Sequence, residues 1–179
     1  MFALKMNPYA PKKTILSMVI FLILLTLVAC YSPIILNRTK SLPNIVWVKT
    51  GPIRGDVRNK YVLFCSGNNR ILNLHSSKLL IGPGSCAGRT ASLMKQIVAV
   101  PGDVVEVSDL VKVNGLVVAN SHIDKTLAEK LQTARGIFIV QENTFWMMST
   151  YTDQSFDSRY FGAIEAKEVV SLIEPFSTH

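Results

Sequence analysis

The chain has 179 residues, 49% of them hydrophobic and 17% charged, with 19 Lys+Arg against 12 Asp+Glu for a formal net charge of +7. That length allows one domain with an appendage; the low charge excludes a disordered chain, and ten Gly with eight Pro exclude a collagen-like one. Residues 1–13 carry Lys5, Lys12 and Lys13 and no acid, and beyond position 36 the excess is a diffuse +4 with no Lys/Arg run, so the charge predicts a solvated surface and no nucleic-acid partner.

From Thr14 to Leu36 no residue is charged, and 23 residues at about 1.5 Å each make roughly 35 Å, enough to cross a hydrocarbon core of about 30 Å. The stretch therefore predicts a transmembrane anchor over 14–36, with 1–13 cytoplasmic by the positive-inside rule and 37–179 exported. A cleavable signal is the other reading. Leu27-Val28-Ala29-Cys30 suits a lipoprotein signal with Cys30 lipidated, but the apolar run continues past Cys30, which favours an uncleaved anchor.

Beyond the anchor the pattern is β. Residues 44–49, 60–65, 93–100, 104–107, 136–141, 144–148 and 169–173 are short and rich in β-branched and aromatic residues. Pro101-Gly102-Asp103 turns one strand into the next, and Val111 to Val118 is two apolar strands around Asn114-Gly115, a strong hairpin signal. Only 121–135 reads as helical, with Ile123, Leu127 and Leu131 spaced by four. The expectation is a mainly β protein: an N-terminal transmembrane helix, then an antiparallel sheet domain of about 140 residues.

Several chemistries fall away. His75, His122 and His179 are isolated, with no metal-ligand spacing, so no metal site is expected. Gly82 to Thr90 is glycine-rich, but its outer glycines are six apart and Arg89 stands where a phosphate loop needs Lys, so a surface loop is expected and no cofactor. Cys65 and Cys86 form no ligand motif. In an exported domain they either close a loop of about 20 residues as a disulfide, or remain two buried thiols; sequence carries no distance to decide between them.

One lysine stands out. Strand alternation puts Lys95 on the face of Leu93, Ile97 and Ala99, which is apolar, so its ammonium either loses water on folding or snorkels to a sheet edge. An unperturbed lysine has a pKa near about 10.4 and must drop by about two or three units to act as a base at neutral pH, which burial can supply. Ahead of it lies Asn37-Arg38-Thr39-Lys40-Ser41-Leu42-Pro43, a hydroxyl in a polar turn before a proline that fixes the backbone.

Ser41-Leu42-Pro43, Arg54-Gly55-Asp56-Val57, Lys95-Gln96-Ile97-Val98-Ala99-Val100-Pro101-Gly102-Asp103 and Ser155-Phe156-Asp157-Ser158-Arg159-Tyr160-Phe161-Gly162 occur in the order of the boxes of the type I signal peptidases. The resemblance runs from about Thr39 to Ile173. Within the family it is nearest the short conjugal-transfer (TraF-type) peptidases, by its Ser-x-Pro context and single span. It implies Ser41 as nucleophile, Lys95 as general base and no histidine. It also implies an oxyanion hole from the Ser41 N–H and the Thr39 hydroxyl, Ser155 orienting the lysine, and Asp157 with Arg159 bracing that loop.

The implied substrate is an exported precursor, a conjugative pilin, bound as an extended strand at a bacterial inner membrane with the peptidase domain periplasmic. Acyl transfer within one chain, giving a cyclic product, belongs to the same resemblance. Two rival readings are a housekeeping leader peptidase of broad specificity and a non-catalytic, membrane-anchored β protein. The chain departs from the housekeeping enzymes at Met148-Ser149-Thr150-Tyr151, where they carry Gly-Asp-Asn and the conjugative branch reads as this chain does, and it departs from the transfer peptidases at Asn44-Ile45-Val46-Trp47, which lacks the glycine they often place after Ser-x-Pro.

Overall fold

The computed structural model describes residues 12–65 and 80–176. Lys5, His75 and His179 lie outside the described residues, as do residues 66–79 and the Cys30 side chain with its lipoprotein reading. The chain divides into two compact units, Met1–Pro33 and Ile34–His179.

The first unit is built on α1, Lys12–Tyr31. Its described side chains, Thr14 to Leu27, are exposed and almost all apolar. The expected span over 14–36 needs correction here. Ser32-Pro33 follows the helix, and Pro33, with no N–H and a restricted φ, does not continue it; Ile34–Leu36 instead forms β1. The uncharged part of α1 runs from Thr14 to Tyr31, about 27 Å of helix, a little short of a hydrocarbon core of about 30 Å. Among the described residues, no helix is long and apolar enough to cross a membrane.

The second unit is mainly antiparallel β. Strands β1 (Ile34–Leu36), β2 (Val46–Gly51), β3 (Tyr61–Phe64), β4 (Leu93–Ala99), β9 (Thr144–Met148), β10 (Ile164–Glu165) and β11 (Val169–Pro175) form one sheet in the order β1-β2-β11-β3-β4-β9-β10. A smaller sheet takes β5 (Val104–Val107), β6 (Val111–Val113), β7 (Leu116–Val117) and β8 (Gly136–Ile139) in the order β7-β6-β5-β8. All paired strands are antiparallel. The Asn114-Gly115 hairpin forms with both residues at positive φ, 50° and 81°, as a two-residue turn between right-twisted strands requires.

The helix expected over 121–135 is reduced to α2, Lys125–Leu131. Asp124 caps it, its side chain accepting from the Leu127 N–H, and Gln132 ends it in the left-handed region. Residues 121–123 do not join because the sheet claims them: Ser121 Oγ bonds the backbone N and O of Val111, and the Ile123 N–H donates to Asp109 O.

Three apolar clusters hold the domain. One, with Val105, Val111, Leu131, Trp146 and Met148, joins the small sheet and α2 to β9. A second gathers Val62, Phe64, Ile97, Met147, Phe161 and Ile164. The third packs Leu42 with Trp47, Leu63 and Ile173, which anchors the residue directly after Ser41. Between the two sheets, Asp103 of the Pro-Gly-Asp turn takes two hydrogen bonds from Arg58, at 2.6 and 3.0 Å, with further bonds from the Val100 N–H and Asn114 Nδ2. Burial pushes its carboxyl up, but those donors outweigh it and hold the pKa down to about 2.

Candidate active site

The loop between β1 and β2 carries Thr39 and Ser41, and Asn37 shapes it from within. Asn37 Nδ2 donates to the carbonyls of Leu42 and Asn44, both at 3.1 Å, and its backbone N–H donates to Ile45 O at 2.7 Å. Those two acceptors fix which way the amide faces, leaving Oδ1 to accept from the Thr39 N–H and the Thr39 hydroxyl, at 3.1 and 3.0 Å. Thr39 has one hydroxyl proton, and Asn37 takes it. The 3.0 Å contact between Thr39 Oγ1 and Ser41 Oγ is then donated by Ser41. The Ser41 N–H also points at Thr39 Oγ1, at a long 3.4 Å.

Lys95 stands in the middle of β4, opposite Val62 of β3, on the same face as the fully buried Ile97 and Ala99. Only 2% of it is exposed, so its ammonium does not reach a sheet edge. Among the described residues Nζ has no hydrogen bond or ion pair. Desolvation is the main influence and lowers its pKa from 10.5 to about 8; the Asp157 charge opposes this, and the Arg159 charge adds to it.

The third segment follows β9. Asp157 caps the short helix α3, Ser158–Phe161, and is wholly buried with Arg159. Asp157 Oδ1 accepts from Arg159 Nε at 2.8 Å and Oδ2 accepts from Nη2 at 3.0 Å. The remaining guanidinium protons go to the carbonyls of Asn120, His122, Asp153, Ser149 and Thr152. A buried Arg–Asp pair with so many acceptors cements loop 149–153 to loop 120–122. Ser155, beside it, is buried, and among the described residues its Oγ has no hydrogen-bond partner.

Ser41, Thr39 and Lys95 line one cleft of about 580 Å³, walled by Leu36, Leu63, Ile81, Leu93, Met94 and Phe156. Ser41 Oγ and Lys95 Nζ are not hydrogen-bonded to each other in this arrangement, and the serine proton is directed at Thr39. Asp157 and Arg159 stand behind the cleft and do not line it. Cys65 and Cys86 are joined as a disulfide, with Cα atoms 5.5 Å apart. It secures the turn 82–91, whose Pro83 and Ala91 also line the cleft; this turn is closed by hydrogen bonds between Gly82 and Ala91 and between Cys86 and Thr90. A Cβ at Gly84 would run into the Thr90-Ala91 backbone, so glycine there serves close packing of the hairpin.

Two residues of the site escaped sequence reasoning. Asn37 had a usable signal, since an Asx side chain two residues before a Thr in a polar turn tends to bond the backbone ahead of it. Ser149 had none: its hydroxyl donates to Ser41 O at 2.6 Å from 108 residues away.

An antiparallel β domain thus presents a serine and a buried lysine to one cleft. Sequence comparison supplies the family: the chain belongs to the signal peptidases, peptidase S26, whose family model matches residues 11–176. Among curated proteins it is similar to a plasmid transfer protein TraF from Escherichia coli, 30% identical over 147 residues that make up 79% of this chain and 81% of that one. A conjugal transfer protein TraF from Agrobacterium tumefaciens (strain 15955) is 28% identical over 160 residues, 89% and 90% of the two chains. Among solved structures, a signal peptidase I from Enterococcus faecalis V583 aligns with 67% of this chain and 97% of its own at 18% identity and a TM-score of 0.37.

Proposed function

We propose that the protein is a membrane-anchored signal peptidase that cleaves an exported precursor, a conjugative pilin, with Ser41 as nucleophile and Lys95 as general base. The observation that carries this reading is the burial of Lys95, without a hydrogen-bond or ion-pair partner among the described residues, in the cleft that also holds Ser41. A lysine with a pKa of about 8 is in part an uncharged amine at neutral pH, able to accept a proton, which an ordinary surface lysine is not.

The cycle begins with a peptide laid along the cleft. Turning the Ser41 side chain about Cα–Cβ exchanges its bond to Thr39 for one to Lys95 Nζ. The Ser41 proton passes to Nζ as Oγ attacks the scissile carbonyl, and the oxyanion is met by the Ser41 N–H and by the Thr39 hydroxyl, released from Asn37. Collapse breaks the C–N bond, and the lysine proton goes to the leaving amine. Water then repeats the sequence on the acyl-Ser41 ester, again with Lys95 as base, and releases the acid. A second chain amine in place of that water gives transpeptidation, including cyclisation. Ser155 is the residue that the family resemblance gives for holding Nζ in line.

Membrane anchoring rests on α1, whose exposed apolar surface from Thr14 to Leu27 needs a non-aqueous partner. The location proposed with it is the bacterial inner membrane with the peptidase domain on the periplasmic side, as the family resemblance implies. Tethering then raises the effective concentration of membrane-borne precursors.

Mass spectrometry of a co-expressed pilin precursor tests the proposal. Wild type is expected to yield the shortened product, and Ser41→Ala and Lys95→Ala to leave the precursor intact while the disulfide-linked domain stays folded. Normal processing by either variant removes the assignment.

A further inference from the structure

Ser149 lies directly after β9, whose Met148 is in register with Gln96, the neighbour of Lys95 on β4. It is completely buried, and every polar atom it has is engaged. Its Oγ accepts from the N–H groups of Tyr151 and Thr152, both at 3.2 Å, so its own proton is left for the Ser41 carbonyl at 2.6 Å. Its backbone N–H donates to Asp157 Oδ2 at 3.0 Å, and its carbonyl accepts from Arg159 Nη2 at 3.1 Å. One residue thus connects the Ser41 backbone to the end of the strand paired with that of Lys95 and to the buried Asp157–Arg159 pair.

The mechanical consequence follows from covalent geometry. With its carbonyl pinned, the peptide plane after Ser41 cannot rotate, and Leu42, held in the Trp47, Leu63 and Ile173 cluster, fixes the chain beyond it. The Oγ position is then a function of one free torsion, the Cα–Cβ rotation that must carry it from Thr39 to Lys95. A nucleophile with one remaining degree of freedom reaches its base far more often than one on a mobile loop.

We infer that Ser149 is a positioning residue for the peptidase reaction: its hydroxyl holds the Ser41 backbone so that Oγ swings onto Lys95, and it touches neither substrate nor proton. This rests on Ser41 and Lys95 acting as proposed above.

The test uses full-length protein in detergent micelles and a peptide spanning the junction at which the wild type cuts its co-expressed precursor. Removing a buried donor to a carbonyl is expected to lower kcat of Ser149→Ala by about tenfold to a hundredfold. KM stays within about twofold, and the pH midpoint of kcat/KM stays where the wild type has it, because the surroundings of Lys95 are unchanged. Ser149→Cys, which keeps a weak donor and most of the volume, is expected to fall between and serves if the alanine variant does not fold. Folding is checked by thermal unfolding.

Wild-type kcat in a folded Ser149→Ala, or in Ser149→Cys if the alanine variant is unfolded, overturns the inference while leaving the nucleophile assignment standing. A midpoint displaced by a full pH unit also overturns it, since the residue would then act through the Asp157–Arg159 pair on the lysine. Activity remaining in Ser41→Ala overturns the underlying reading itself.

Discussion

Replacing Lys95 by methionine removes a buried ammonium and leaves a side chain of similar length on an apolar strand face. The lysine pKa falls from 10.5 in water to about 8 in the folded protein, chiefly through desolvation, which at roughly 1.4 kcal/mol per unit is a deficit of about 3 kcal/mol. The sign follows from proton counting. Below about pH 8 both folded and unfolded chains hold the proton and the deficit is whole; between 8 and 10.5 the folded lysine is neutral while the unfolded one is still charged, so wild-type stability climbs with pH. Lys95→Met is therefore expected to be more stable than wild type by about 3 kcal/mol at pH 7 and by less than about 1 kcal/mol at pH 10, and to lose all processing activity. Urea unfolding of the micelle-bound protein, followed by the fluorescence of the buried Trp47 and Trp146, measures both values. A variant no more stable than wild type at pH 7, or one with the same advantage at both pH values, refutes the view of Lys95 as a desolvated base kept for chemistry.

The same lysine sets a pH–rate profile. With the free amine as the active form the proposal requires, kcat/KM is expected to rise about tenfold per pH unit up to about 8 and level off above it, and a flat profile from pH 6 to 9 excludes Lys95 as the base. Arg159→Met leaves the Asp157 carboxylate buried and unpaired and is expected to cost about 3–5 kcal/mol in thermal or urea unfolding, with the Asp157→Leu/Arg159→Met pair costing less than the two single changes together. Additive effects would show that the pair is not a unit. Cys65→Ser opens the 21-residue separation closed by the disulfide and is expected to cost about 3 kcal/mol. Since the secured turn walls the cleft, the variant should also bind the substrate peptide less tightly, seen as a raised KM; an unchanged KM argues against that wall contacting substrate.

Most strands were legible because they announce themselves locally. Alternation in 93–99 and the Asn114-Gly115 pair depend on neighbours two residues away, and both appear in the folded chain. The reading failed where two elements share a composition or where a distant segment competes. Thr14 to Leu36 is uniformly uncharged, so helix and edge strand merge in the sequence, and only the pairing of Ile34–Leu36 with Val46–Val48 separates them. Residues 121–123 fall within the 121–135 stretch spaced as a helix, yet the Ser121 hydroxyl bonds Val111 and the Ile123 N–H donates to Asp109 O. The Ser-Phe-Asp-Ser-Arg-Tyr motif marked Asp157 and Arg159, but not that Arg159 gathers five backbone carbonyls from two loops.

The sequence by itself determined the apolar exposed helix at the start, the antiparallel β character of the rest, the family, and which serine and lysine to examine, because each of these is written in short-range pattern or motif. What only the tertiary structure decided is everything that depends on how much water a group retains and who its distant neighbours are. Lys95 is stripped of water only because the folded domain buries the face of β4 on which it stands, and Ser41 is held by Asn37 within its loop and by Ser149 from across the domain. Desolvation and long-range hydrogen bonds arise only when strands far apart in the chain are brought side by side, and no local pattern records them.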